Sequence, residues 1–345
     1  MSRPKALLLG EIDHEKFADS HLTSAKKTWD ALSDIAELVY PQSTNRKDFI
    51  EECKSGKFDG VVAAYRTFQS VSITGNIDEE IVSILPKSLK FLAHNGAGYD
   101  QVDVHACSAR DPPILVSNVP TAVDDATADT NMFLILGALR GFNTTMLALR
   151  DGDWRGKKPP PLGHDPEGKT LGILGMGGIG RNLKKKAEAF RMNVQYHNRN
   201  KLSEELAGGA KYVSFDELLA TSDVLSLNLP LNKQTRHIIS TKEFEKMKKD
   251  IVIVNTARGA VMDEDALVKA LGKGQVLSCG LDVYEEEPKV HPGLVANPHV
   301  MLVPHMGTAT VETQTAMEDW CIGNVRAALE KGKLNSPVPE QKDIQ

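Results

Sequence analysis

Three segments in the second half of the chain place ionisable side chains just past short apolar runs. They are Val254-Asn255-Thr256-Ala257-Arg258-Gly259, Leu281-Asp282-Val283-Tyr284-Glu285-Glu286-Glu287-Pro288 and Val303-Pro304-His305-Met306-Gly307-Thr308. Hydride delivery to a 2-keto acid needs a cation for the carboxylate and keto oxygen, a proton donor for that oxygen, and a group that keeps the donor charged. Arg258, His305 and a carboxylate supply this set. Taken singly each has an ordinary structural explanation: a salt-bridged arginine, a satisfied histidine, a solvated acidic run at Glu285-Glu286-Glu287. Their joint occurrence behind a dinucleotide fingerprint gives the chemical reading its weight.

That fingerprint is Gly175-Met176-Gly177-Gly178-Ile179-Gly180, a G-x-G-x-x-G directly after the predicted strand Thr170–Leu174 and before the predicted helix Asn182–Phe190. Gly175 permits the tight turn and Gly177 lets the backbone approach a pyrophosphate. Gly180 lets helix and strand pack, and the helix N-terminus offers its unpaired N–H groups to the anion. An NAD site would carry Asp or Glu at the end of the next strand, to hold the ribose 2′-hydroxyl. Here Asn198 stands at that place, followed by Arg199. A neutral amide beside a guanidinium accepts a 2′-phosphate that a carboxylate would repel, so NADPH is the expected cofactor, with NADH possible.

These residues require elements to carry them. Short apolar runs bounded by Gly or Pro alternate with longer mixed segments along the whole chain, the pattern of βα units feeding buried parallel sheets. Strands are expected at Ala6–Gly10, Gly60–Ala64, Leu89–Ala93 and Ile114–Ser117, with helices at Ala25–Ala36, Asp48–Cys53 and Glu79–Leu85. A long helix, Thr121–Leu139, connects this series to a loop dense in Gly, Pro and Lys, Asp151–Gly168. The second series of strands is Thr170–Leu174, Asn193–Tyr196, Tyr212–Val213, Val224–Leu227, Ile251–Asn255, Cys279–Val283 and Val300–Val303. A last helix, Thr310–Glu330, returns toward the first series. The fold class is thus α/β, with two doubly wound parallel-sheet domains.

Composition narrows the partners. The chain has 345 residues with 41 Lys+Arg against 46 Asp+Glu, a net charge of -5, which gives no electrostatic footprint for nucleic acid or an anionic membrane. The longest apolar stretch, Met132–Leu139, is far shorter than the ~20 residues of a membrane span. The first residues, running straight into Lys5–Gly10, lack the pattern of a signal peptide. Four cysteines, Cys53, Cys107, Cys279 and Cys321, show neither CxxC nor framework spacing, so no metal site is expected and a reducing, cytoplasmic compartment is.

The same residues resemble the D-2-hydroxyacid dehydrogenase family, in particular its fungal glyoxylate/hydroxypyruvate reductase and D-mandelate dehydrogenase members. The likeness runs from about Gly60 to Ala328. It is carried by Asn95-Gly96-Ala97-Gly98-Tyr99-Asp100, the glycine fingerprint, Asn255–Gly259, Leu281-Asp282-Val283 with Glu287-Pro288, and Pro304-His305-Met306-Gly307. By this resemblance Arg258 binds substrate, His305 is the acid/base and Glu287 is its partner. The backbone around Ala97 and Gly98 holds the substrate carboxylate, while Thr256, Ala257 and Asp282 lie along the cofactor, Asp282 on the nicotinamide amide. The resemblance further implies a flavodoxin-like substrate domain, 1–118 completed by 308–345, a Rossmann cofactor domain, 119–307, a cleft between them, and a homodimer. The implied reaction reduces a small 2-keto acid, glyoxylate, hydroxypyruvate or a bulkier one, to the D-2-hydroxy acid. A formate dehydrogenase-like enzyme is the nearest alternative, but a glutamine stands there in place of Glu287. A dinucleotide-sensing, corepressor-like binding protein is the non-catalytic alternative. Asn198 departs from the Asp of NAD-dependent relatives.

Overall fold

The computed structural model describes residues 3–12, 25–154 and 162–344. Of the expected loop Asp151–Gly168, residues 155–161 lie outside the described residues. The chain separates into two compact units, Met1–Val123 with Ala309–Gln345, and Asp124–Thr308.

In the first unit five strands form one sheet: β1 (Lys5–Leu9), β2 (Glu37–Val39), β3 (Val61–Thr67), β4 (Phe91–Asn95) and β5 (Leu115–Ser117), in the order β2-β1-β3-β4-β5. Every pairing is parallel. This is the 2-1-3-4-5 order of flavodoxin-like sheets, and it follows from right-handed βαβ crossovers laid first one way and then the other. The helix Val311–Lys331, near the chain's end, packs on β3 and β4 and closes one face of the sheet with Cys321, Ile322 and Val325. Several expectations differ from the structure here: β4 runs Phe91–Asn95 rather than Leu89–Ala93, and the expected helix Ala25–Ala36 is a helix over Ala25–Asp30 followed by a 3-10 turn over Ala31–Asp34. Strand β2 is not legible in the sequence, because three half-exposed edge residues carry no apolar run. Strand β3 continues past Ala64 through Tyr65, Arg66 and Thr67, all buried, so the strand outlasts its apolar pattern.

The second unit holds seven parallel strands: β6 (Thr170–Leu174), β7 (Asn193–His197), β8 (Lys211–Tyr212), β9 (Val224–Leu227), β10 (Ile251–Asn255), β11 (Val276–Leu281) and β12 (Met301–Leu302). Their order, β12-β11-β10-β9-β6-β7-β8, reverses direction between β6 and β9. Such a reversal is where open α/β sheets bind ligands, at the carboxyl ends of the strands. The helix Asp124–Arg140 belongs to this unit and packs on the helix Gly178–Ala189 and on β10 and β11. Its contact with β11 needs Gly280, where a Cβ would come within 2.7 Å of Leu134 Cβ. Strand β11 ends at Leu281, short of the expected Val283, which leaves Asp282 beyond the strand's end. No single helix among the described residues is long and apolar enough to cross a membrane. All four cysteines are free and buried.

Candidate active site

The glycine turn leaves β6 at Gly175, whose φ of +95° belongs to the region L side chains avoid; a Cβ there would also lie 2.7 Å from Asn228 O. Gly180 is equally constrained, since its Cβ would sit 2.9 Å from Gly175 O. At Gly177, by contrast, a Cβ would meet nothing within 4 Å. That opening lies at the N-cap of the helix Gly178–Ala189, which starts within the turn, ahead of the predicted Asn182, and has no side-chain cap. The N–H groups of the first helical turn lack intrahelical partners, so an open cradle with orphan donors fits a dinucleotide pyrophosphate. Gly178 makes room for a neighbouring helix instead, because a Cβ there would fall 1.9 Å from Asp124 Oδ2. Burial pushes the Asp124 carboxyl up to about 6, against the charge of Arg181.

At the end of β7 the Asn198 side chain reaches back to this turn, its Oδ1 accepting from Met176 N–H at 2.6 Å. The amide's acceptor is thereby engaged, and what it has left to offer is the Nδ2 donor. Arg199 beside it is exposed.

At the end of β10, Asn255 is wholly buried and organises the following loop, its Oδ1 accepting from Ala257 N–H at 3.0 Å and its Nδ2 donating to Arg258 O at 2.9 Å. Asn131, from the helix Asp124–Arg140, holds Thr256 Oγ1 at 3.0 Å and Ser226 Oγ at 2.9 Å. The Arg258 guanidinium donates through Nη1 to Ala257 O at 2.9 Å. Gly259 then passes under the next segment so closely that a Cβ would lie 1.9 Å from the Tyr284 carbonyl carbon.

Within the acidic run Glu285 and Glu287 part company. Glu285 meets His237 Nε2 and accepts Glu264 N–H at 3.1 Å, whereas Glu287 turns to His305, Oε2 to Nδ1 at 2.8 Å, and accepts Tyr284 N–H at 2.9 Å. Burial alone would push the Glu287 carboxyl up. The hydrogen bonds from His305 and Tyr284 and the charges of His305 and Arg258 outweigh it and hold the group below its ordinary value. His305 has a φ of +52°, an uncommon backbone state for a non-glycine residue. Asp282 secures it: its main-chain oxygen accepts His305 N–H at 2.8 Å, and its carboxylate accepts Met306 N–H at 2.6 Å and Gly307 N–H at 2.9 Å. Burial nonetheless raises the Asp282 carboxyl above its usual range. Arg258, Asp282, Glu287 and His305 therefore follow three adjacent strand ends of one unit.

Ala97 and Gly98 lie in the first unit, in the loop after β4. There the carbonyls are tied down one after another: Gly96 O by Val119 N–H at 2.9 Å, Ala97 O by Asn118 Nδ2 at 2.8 Å and Gly98 O by His94 Nε2 at 2.9 Å. No hydrogen bond engages the N–H of Ala97, Gly98 or Tyr99 among the described residues. Three successive amides with their carbonyls engaged elsewhere leave a nest of N–H donors, a group chemically able to receive an anion. Sequence reasoning misses Asn131, Asn255, His94 and the Tyr99 amide; the available signal is Asn255, an amide at the end of an apolar strand inside a quoted motif, whereas Asn131 sits in a helix and His94 lies just ahead of the motif at Asn95.

Together the doubly wound sheet, the glycine cradle and the Arg–Glu–His cluster define a dinucleotide-dependent oxidoreductase of 2-oxo and 2-hydroxy acids. Comparison with known proteins gives the family. Residues 132–307 match the family described as D-isomer specific 2-hydroxyacid dehydrogenase, NAD binding domain. The chain is 57% identical over 341 residues to 4-methyl-2-oxopentanoate reductase A of Aspergillus oryzae, covering 99% of each. A glyoxylate reductase crystal structure from Paecilomyes thermophila superposes with a TM-score of 0.93 at 55% identity, over 99% of this chain and 100% of that one. Holo D-mandelate dehydrogenase of Rhodotorula graminis gives 0.88 at 32% identity, over 98% of each. The chain belongs to the D-isomer specific 2-hydroxyacid dehydrogenase family.

The Glu287–His305 pair yields a stability expectation. A carboxyl held below its unfolded value contributes stability that is present above the unfolded pKa, about 4.3, and is lost as pH falls through the folded one. Glu287→Gln should remove that part of the acid sensitivity, so the unfolding midpoints of wild type and variant should converge on going from neutral pH to about pH 3. Parallel curves would contradict the pairing.

Proposed function

We propose that the protein reduces a 2-oxo acid to the D-2-hydroxy acid with NADPH, and that Arg258, Glu287 and His305 perform the chemistry. The Glu287–His305 hydrogen bond carries the reading, because it assigns the imidazole a role. A carboxylate accepts, so Nδ1 donates to Glu287, and Nε2 is the nitrogen that passes a proton. When bound, the nicotinamide supplies the hydride that adds to the carbonyl carbon. His305 protonates the oxygen as its charge develops, and Glu287 stabilises the imidazolium form before that transfer. Arg258 stabilises the same developing charge, a contribution commonly of about 3 kcal/mol. Asp282 keeps the His305 segment in place and, with Thr256 and Ala257, lines the cofactor. The Ala97–Tyr99 amides receive a carboxylate. Two substrate classes come first for trial, since proteins similar to this chain carry the names of glyoxylate and of 4-methyl-2-oxopentanoate reductases.

We further propose a homodimer in the cytoplasm. Phe142, Met146, Leu147 and Leu149 on the helix Phe142–Arg150 are exposed, with Phe133 and Trp154 nearby in sequence, an apolar set that a second copy would cover. Four unpaired cysteines suit a reducing compartment.

With NADPH and a panel of 2-oxo acids, Arg258→Ala and His305→Ala should each lose at least a hundredfold in kcat while cofactor affinity, read by fluorescence titration, stays within about twofold. Normal turnover in either variant would remove the catalytic assignment. The cofactor assignment has its own test. Asn198→Asp combined with Arg199→Ser replaces donors by a carboxylate and deletes the cation, and losing one charge-assisted contact costs roughly tenfold to a hundredfold in NADPH affinity. The kcat/KM ratio of NADPH to NADH should invert at fixed ionic strength; a wild type already preferring NADH would refute the reading of Asn198 and Arg199. For the assembly, light scattering should give twice the mass of the 37.7 kDa chain, and Leu147→Glu with Leu149→Glu should shift it to monomer.

A further inference from the structure

The nest at Ala97–Tyr99 is held by side chains that lie deeper in the sheet. Arg66 on β3 and His94 on β4 are register partners, with 0% and 1% of their surface exposed. Their side chains meet at 3.0 Å, Arg66 Nη1 to His94 Nδ1. A guanidinium has only hydrogens to give, so Nδ1 must accept, and a neutral ring then carries its hydrogen on Nε2. That hydrogen is the one the Gly98 carbonyl receives at 2.9 Å. The arginine therefore selects the tautomer, and the tautomer determines which way the Gly98 peptide faces. Gly96 leaves room for the ring, since a Cβ there would stand 2.9 Å from His94 Nε2.

The cost of this arrangement lies in the arginine. Its Nε and Nη2 are buried without a hydrogen-bond partner among the described residues. Burial draws the guanidinium down to about 10, opposed by the charge of Asp100, and it remains a cation at neutral pH. An interior cation with idle donors destabilises a fold.

We propose that Arg66 and His94 form a positioning relay that keeps the Gly98 carbonyl turned inward, so that the Tyr99 N–H on the same peptide is presented, beside those of Ala97 and Gly98, to the substrate carboxylate. The proposal rests on the reading of that nest as the carboxylate site. Neither side chain is a catalytic residue; both act through the loop.

The side-chain chemistry supplies discriminating variants. In His94→Gln the amide nitrogen takes the place of Nε2 and still donates to Gly98 O. In His94→Asn the side chain can accept from Arg66 but is too short to reach Gly98. Arg66→Met keeps volume and removes the tautomer selector. The readout is the ratio of kcat/KM for a 2-oxo acid over that for the neutral 2-oxo amide of the same skeleton, since only the acid needs the nest. Wild type should favour the acid strongly. His94→Asn and Arg66→Met should lower the ratio roughly tenfold, about the worth of one net hydrogen bond, through KM for the acid, with His94→Gln within about threefold of wild type. Cofactor affinity, titrated separately, should be unchanged in all three, as a local effect on the first unit requires. If wild type does not distinguish acid from amide, the nest reading itself fails. If it does, and the variants keep its ratio or His94→Gln falls as far as His94→Asn, the relay is wrong. Should His94→Asn not fold, Arg66→Met against His94→Gln decides by the same ratio.

Discussion

All strands in each sheet run the same way, and the placement of every functional group follows from that. A parallel sheet collects the carboxyl ends of its strands along one rim, so residues far apart in sequence become neighbours by being the residues just beyond strands. In the second unit Gly175 follows β6, Asn198 follows β7, Thr256 follows β10, Asp282 follows β11 and His305 lies three residues past β12. In the first unit Arg66 and His94 stand near the ends of β3 and β4, with the nest directly behind. The pairing that builds each sheet is the same pairing that gathers these positions along its rim.

What the rim does not supply is orientation, and here one device recurs. An amide or carboxylate at a strand end bonds the backbone of the loop that follows it or of a neighbouring loop. Asn255 holds its own loop through Ala257 and Arg258, Asn198 holds the glycine turn through Met176, Asp282 holds the segment bearing His305, and Asn118 holds Ala97. Each bond satisfies a backbone group that would otherwise be orphaned, and each removes freedom from a loop whose side chains or amides must be preorganised.

Much of this is legible in the sequence. Apolar runs and glycines mark the strands that matter, and Thr170–Leu174, Val224–Leu227 and Ile251–Asn255 match the structure end for end. The reason is physical: a strand buried on both faces writes itself as a continuous apolar run. Where burial is partial or polar the writing fails. Glu37–Val39 is an edge, and Arg66 is a buried charge beyond the expected strand end at Ala64. Nor does sequence show which of three adjacent glutamates faces a histidine. Glu287 is assigned by resemblance, and its partner is visible only once the segment from Tyr284 onward has folded over Gly259.

The free cysteines have a use outside the chemistry. Burial pushes the Cys53 and Cys107 thiols up to about 12, and those of Cys279 and Cys321 are raised as well, so the intact molecule presents almost no thiolate to an electrophile. Cys53, Cys107 and Cys321 belong to one compact unit and Cys279 to the other. The native chain thus carries an internal clock for each unit. The rate at which a disulfide reagent labels Cys279, set against the rate for the other three, reports how often each unit opens while the protein as a whole remains folded.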